Sequence, residues 1–281
     1  MTNSSQRLLN FFLADWQEWG ITLLEKPQLV KALEGGTTNS SYLIAATTKS
    51  KSQWVLRVHQ QNLLFKTNRE HELAIQQLAQ QLQLAPQICY QHPQGNYQLY
   101  PYIKAPTISK QLPITQVRLT TLCAQLHQLH QAKLSLSDPP FSTYLYSDHI
   151  NRYWRFLLQK DSREPESVGL NAADRQRYQA MLAMTLDYEK NHGQQRVLCH
   201  HDLNAENILA LASGRCCILD WEFAGAGIAS MDFACLATEL SIDIKEMSAL
   251  SGIKQNELDC AQQIYQYTCE VYNRALSHLS V

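Results

Sequence analysis

The stretch that decides how this chain is read is Val197-Leu198-Cys199-His200-His201-Asp202-Leu203-Asn204-Ala205-Glu206-Asn207-Ile208-Leu209-Ala210. A short apolar run enters a polar loop, and a second apolar run leaves it. Asn207 follows Asp202 by five residues. Ile208-Leu209-Ala210 and Cys216-Cys217-Ile218-Leu219 flank Ser213-Gly214, the pattern of a hairpin that turns at its glycine. Asp220 comes next. If the hairpin forms, its base brings Asn207 and Asp220 together, with Asp202 on the adjoining loop. Taken singly these residues are ordinary: an Asp after a strand caps a helix or makes a turn, His200 and His201 suit a loop, and Glu222 suits a surface. Their joint occurrence at this spacing carries the reading.

Upstream, residues 7–19 place Leu8, Leu9, Phe11, Phe12, Trp16 and Trp19 at helical spacing, closed by Gly20. A small polar loop, Leu33 to Ser41, leads into Tyr42-Leu43-Ile44-Ala45 and, past a turn, Trp54-Val55-Leu56-Arg57-Val58, which reads as a hairpin with a glycine loop at its entry. Residues 67–84 read as a helix ended by Ala85-Pro86, and Ile88 to Tyr90 and Tyr97 to Ile103 as two further strands. Beyond residue 104 the pattern turns helical: Val117 to His130, parts of 142–160 and 172–190, and Phe233 to the end with a break near Ser251-Gly252. The expectation is an α+β protein of two parts, a strand-rich unit over 1–103 and a larger, mainly helical unit over 104–281.

The chain has 281 residues, 45% hydrophobic and 17% charged, with a net charge of −1. That composition fits a soluble globular protein and gives no basic field for nucleic acid. The eight cysteines form no C-x-x-C pair and most sit in apolar runs, so they read as buried free thiols of a reducing compartment. Met1 to Trp16 has no signal-peptide pattern, and no apolar run approaches the ~20 residues of a membrane span. A cytoplasmic protein with no membrane or nucleic-acid partner is expected; oligomeric state is not legible.

Two carboxylates and an amide oxygen at one loop edge suit a hard divalent cation and a proton acceptor. Mg²⁺ favours one or two carboxylates plus substrate phosphates, which matches phosphoryl transfer, a reaction catalysed mainly by positioning and charge neutralisation. Cys199-His200-His201-Asp202-Leu203 to Asn207-Ile208-Leu209 resembles the catalytic loop of aminoglycoside phosphotransferase-like and choline kinase-like enzymes. His201 stands where that family usually has glycine. Ile218 to Gly225 resembles the family's metal segment, Asp232-Phe233-Ala234 its downstream acidic motif. The Asp220-Trp221-Glu222 form is closer to the choline, ethanolamine and thiamine kinase branch than to antibiotic-modifying members.

The resemblance implies a two-lobe protein-kinase-like fold, with ATP and Mg²⁺ in the cleft between lobes. It implies Asp202 as the acceptor-proton residue, Asn207 and Asp220 as Mg²⁺ ligands, His200 as a loop brace, and Asp232 as an anchor; His201 has no implied role. Glu222 and Trp221 are candidates for the substrate side. For the nucleotide it points to Gly35, Gly36, Thr38 and Asn39 as a phosphate-covering loop, to Arg57 as a phosphate ligand with Glu72, or Glu70, as its partner, and to the backbone of Tyr100 to Ile103, hence Tyr100 and Tyr102, for adenine. The implied activity is ATP-dependent phosphorylation of a hydroxyl on a small, cationic metabolite such as choline, ethanolamine or thiamine. Alternatives are an aminoglycoside-type phosphotransferase and a catalytically silent nucleotide-binding relative.

Overall fold

A computed structural model of the chain describes residues 12–33, 39–48, 51–60, 64, 67–132 and 142–279. Contacts divide it into two compact units, one from the described parts of 1–62 and 85–105, the other from those of 63–84 and 106–281. Residues 63–84, read from sequence with the first unit, therefore pack with the second.

The first unit is a five-stranded antiparallel sheet in the order β1-β2-β3-β5-β4, with β1 Gln28–Ala32, β2 Asn39–Thr47, β3 Lys51–His59, β4 Tyr90–Gln91 and β5 Tyr97–Pro101. The hairpin expected from sequence is β2 and β3. Strand β2 begins at Asn39, three residues before the expected Tyr42, and β1 was not foreseen: Gln28-Leu29-Val30-Lys31-Ala32 is too polar and too exposed to show a buried strand. Period-two alternation sends Tyr42, Ile44 and Ala46 of β2 and Trp54, Leu56 and Val58 of β3 to one face. Phe12, Leu13 and Trp19 cover that face, together with Tyr97 and Leu99. The described part of the first helical segment is a 3₁₀ run, Leu13–Trp19, stopped by Gly20 at φ +66°. Trp19 donates its indole N–H to the Tyr97 hydroxyl at 3.0 Å.

The second unit is mainly helical. Arg69–Gln81 starts at Asn68, whose side chain accepts from the Glu70 and His71 amides. Gln116–His130, Tyr146–Asp161 and Ala172–His192 follow, the last opened by a reciprocal capping box of Asn171 and Asp174. Two short antiparallel ribbons interrupt the helices. Strand β6, Val197–Cys199, pairs with β9, Gly225–Gly227, and β7, Ile208–Ala210, pairs with β8, Cys216–Ile218. The second pair is the expected hairpin, with Gly214 at φ +86°. Helices Ala229–Glu239, Ile244–Ser251 and Gln255–Ser277 complete the chain, the middle one ended by Gly252 at φ +71°. All eight cysteines are free thiols, and Cys123, Cys199, Cys216, Cys217 and Cys235 are buried. No helix among the described residues is long and apolar enough to cross a membrane.

Candidate active site

The loop after β6 is fixed by one residue from elsewhere. Asp232, fully buried in the first turn of Ala229–Glu239, accepts from the backbone amides of His200 (3.1 and 3.0 Å to its two oxygens) and His201 (2.8 Å), and its Oδ2 lies 2.9 Å from His130 Nε2. Burial alone would disfavour its charge, but the hydrogen bond and charge of His130 and the His201 amide hold its carboxyl down at about 2. An ionised carboxylate buried with three donors and no solvent is an anchor for the loop.

His200 is a second brace. Its Nδ1 accepts from the Asp202 amide at 3.2 Å, which leaves Nε2 to donate to the Leu219 carbonyl at 3.0 Å. One imidazole thus ties the Asp202 loop to the strand that delivers Asp220. The Leu219 amide donates to the Asn207 carbonyl at 2.7 Å, closing the base of the β7–β8 hairpin as the sequence anticipates.

Asp202 and Asn207 are brought into contact: Asn207 Nδ2 donates to Asp202 Oδ2 at 2.8 Å and to the Asp202 carbonyl at 3.0 Å, and Asn204 Nδ2 donates to Asp202 Oδ1 at 3.1 Å. Both Asp202 oxygens are accounted for, and the Asn207 amide nitrogen is used, which turns its oxygen to the other side. Asp220 sits at φ +60°, a left-handed conformation that Asp tolerates better than most residues. Its charge reaches Asp202: burial first, then Asp220, push the Asp202 carboxyl up to about 7, with a smaller contribution from Glu239. Two carboxylates whose charges oppose each other beside an amide oxygen form a donor set that suits a hard divalent cation.

Other predicted residues separate into those the site uses and those it does not. Trp221 is fully buried, with its indole N–H donated to the Ile218 carbonyl at 3.0 Å and its ring 4.6 Å from that of His200. It belongs to the core, which removes it from the substrate side. Glu222 lies 3.4 Å from Arg69 Nη1, and Glu72 lies 2.5 Å from the same nitrogen. Arg69 therefore links the Arg69–Gln81 helix to the Asp220 segment. His71 adds a second link, with Nε2 2.9 Å from the Ala224 carbonyl and Nδ1 accepting the Ser142 amide at 3.1 Å. Glu70 is exposed.

In the sheet unit Arg57 is buried on β3 opposite Ser41 and Gln98, and Asn39 is buried at the start of β2. The Tyr102 amide donates to the Gln53 carbonyl at 3.0 Å, and Tyr100 faces Val55 in the same register. Antiparallel alternation then turns the backbone of Pro101 and Ile103, rather than that of Tyr100 and Tyr102, away from β3. Gly35, Gly36 and Thr38 lie outside the described residues.

Further residues surround Asp202, among them Glu239 and Tyr144, which the sequence did not single out. Glu239, at the end of its helix, accepts from the Tyr265 hydroxyl at 2.9 Å, and among the described residues no cation pairs with it. Tyr144, Tyr153, Tyr265 and Cys269 are all close enough to Asp202 for its charge to disfavour their ionisation. Tyr272 rests against Tyr153 with ring centroids 5.2 Å apart. Trp154 stacks on Tyr178 and Tyr267 lies beneath Arg177, in the same hydrophobic cluster as Tyr153.

The strand-rich unit, the helical unit and this loop define a small-molecule kinase of the two-lobe protein-kinase-like fold. The chain belongs to the choline/ethanolamine kinase family, whose model matches residues 30–278. Among solved structures it is similar to choline kinase LicA from Streptococcus pneumoniae at 15% identity and TM-score 0.70, over 99% of this chain and 93% of that one. An ethanolamine kinase from Plasmodium vivax aligns at 14% identity and TM-score 0.74, over 100% and 85%. An ADP-bound aminoglycoside phosphotransferase, APH(2'')-Ib, aligns at 16% and 0.62, over 95% and 96%. A search of curated protein sequences finds no match.

Proposed function

We propose that this kinase transfers the γ-phosphoryl group of ATP to the hydroxyl of a small cationic amino alcohol of the choline or ethanolamine type. The observation that carries this reading is the pairing of two differently placed carboxylates: Asp202, held by Asn204 and Asn207 and pushed up to about 7, and Glu239, oriented by Tyr265 with no cation of its own among the described residues. A carboxylate with a value near neutrality is matched to proton transfer at working pH. A carboxylate beside a tyrosine, with no cation paired to it among the described residues, suits an ammonium group.

In the reaction Asp202 takes the proton of the acceptor hydroxyl as the acceptor oxygen forms its bond to the γ-phosphorus. The bond from that phosphorus to the β–γ bridging oxygen breaks, and ADP leaves with the electron pair. Asn207 and Asp220 fit a divalent cation by the chemistry of their donor set, and would hold Mg²⁺, which when bound supplies neutralisation of the phosphate charge. His200 and Asp232 keep the loop in place and take no part in the chemistry. In the sheet unit, Arg57 is assigned to phosphate, and Pro101 with Ile103 to adenine. Glu72 and Glu222 share Arg69.

The test is ADP release over a panel of choline, ethanolamine, thiamine, aminoglycosides and sugars. Choline or ethanolamine should stimulate release at least tenfold over the other classes, and Asp202→Ala should abolish the stimulation. A protein that binds ATP and responds to no member of the panel would refute the assignment.

A further inference from the structure

His201 is the residue of the loop that the chemistry above leaves unused, and its placement is costly. It adopts φ +66°, a left-handed conformation that costs a residue with a Cβ about 1 kcal/mol or more. Its imidazole is buried, and a Cβ on Gly227 would fall 2.3 Å from both Cε1 and Nε2 of the ring. Strand β9 must therefore carry glycine at 227 to make room for this side chain.

The ring is one end of a column. It stacks on Tyr144 with centroids 4.1 Å apart and planes 16° from parallel, and the other face of Tyr144 stacks on His149 at 4.1 Å and 12°. Phe223, three residues past Asp220, stands edge-on to both Tyr144 and His149 at 6.3 Å. The Tyr144 backbone is held by the same β9 strand, its amide donating to the Ala226 carbonyl at 3.0 Å. Tyr144 thus spans the two segments that carry Asp202 and Asp220. Because imidazoles cover both of its faces, only its edge and hydroxyl can meet another molecule. That hydroxyl makes no hydrogen bond among the described residues. Burial first, with neighbouring groups that include Asp202, keeps it protonated and so a donor. Burial likewise keeps His149 and His201 uncharged, at about 3 and about 4, so the column puts no positive charge beside a cationic acceptor.

We propose that Tyr144 is an acceptor-binding residue whose hydroxyl donates a hydrogen bond to the acceptor's hydroxyl oxygen beside Asp202, with His201 and His149 as positioning residues that fix its ring. This rests on the amino-alcohol reading above. The geometry explains why a histidine occupies a strained position opposite an obligatory glycine: it clamps a tyrosine that the chemistry needs in one place.

The experiment is steady-state kinetics with choline and ethanolamine on wild type, Tyr144→Phe, His201→Gly and the double variant. Tyr144→Phe keeps the stack and removes one neutral hydrogen bond, so kcat/KM for the acceptor should fall about three- to tenfold, chiefly through KM, with KM for ATP within twofold. His201→Gly should fall in the same direction, and the double variant should be no worse than the poorer single, because His201 acts through Tyr144. Should His201→Gly not fold, His201→Asn, which tolerates the left-handed backbone, replaces it. An acceptor kcat/KM in Tyr144→Phe within twofold of wild type overturns the contact, and multiplicative losses in the double variant overturn the positioning role. Wild type that releases no acceptor-dependent ADP at all removes the amino-alcohol reading, and the contact with it.

Discussion

Asp202 is held in the folded chain with its carboxyl at about 7, against an ordinary value of 3.8, because burial and the Asp220 charge both oppose its ionisation. Its folded-state value is raised, so the stability tied to the protonated form is fully present below about 3.8 and is lost as pH rises through about 7. Asparagine cannot ionise and escapes that loss. Each pKa unit corresponds to about 1.4 kcal/mol, so between pH 5 and pH 8 wild type should lose at most about 3 kcal/mol through this residue. Asp202 is partly solvated, and screening reduces the expected figure to about 1–2 kcal/mol. The Asp202→Asn variant would also give up one of the two donors that Asn204 and Asn207 direct at the carboxylate, a penalty that does not depend on pH. The diagnostic quantity is therefore the change in the gap between Asp202→Asn and wild type, not its size at one pH. Asp232, at about 2, does not titrate over this range, and other groups act equally on both proteins. Thermal unfolding without nucleotide or metal should show the variant gaining about 2–6 °C on wild type from pH 5 to pH 8. The same gap at both pH values would refute the claim that Asp202 is held in an environment that resists its charge.

Two further outcomes follow from the geometry. Glu239→Gln removes the carboxylate charge while keeping the bond from Tyr265, and should raise the acceptor KM about ten- to hundredfold with KM for ATP unchanged, read by steady-state kinetics. Gly227→Ala should cost about 1–3 kcal/mol by forcing a methyl group into the His201 ring, and adding His201→Gly should recover most of that, read from urea unfolding midpoints.

What the sequence made legible was local. Asp202, Asn207 and Asp220 lie within a loop and a hairpin whose apolar runs and turn glycine are visible in one short window, and the structure folds that window as expected. The β6–β9 ribbon is different: Gly225-Ala226-Gly227 has no strand propensity, and its glycines are explained only by what approaches them, the Ser142 carbonyl at one and the His201 ring at the other. Glu239 sits on a helix as an ordinary charge until Tyr265, from another helix, is brought to it. Trp221 shows the opposite failure, since an aromatic residue beside Asp220 suggests a pocket wall, whereas its N–H closes onto Ile218 and its ring fills the core. Glu72 sits in the expected helix, but its ion pair with Arg69, one turn away, has no sequence signal that distinguishes it from a solvent-facing pair.

The central claim is that Asp202 serves transfer of a phosphoryl group to an amino-alcohol hydroxyl. Phosphorus NMR of the protein with Mg-ATP and choline or ethanolamine tests it directly. The expected result is loss of the γ-phosphate signal with equal growth of ADP and a phosphomonoester, and no phosphomonoester from Asp202→Ala. Phosphomonoester formed by Asp202→Ala at the wild-type rate, or none formed by wild type with either alcohol, would contradict the account.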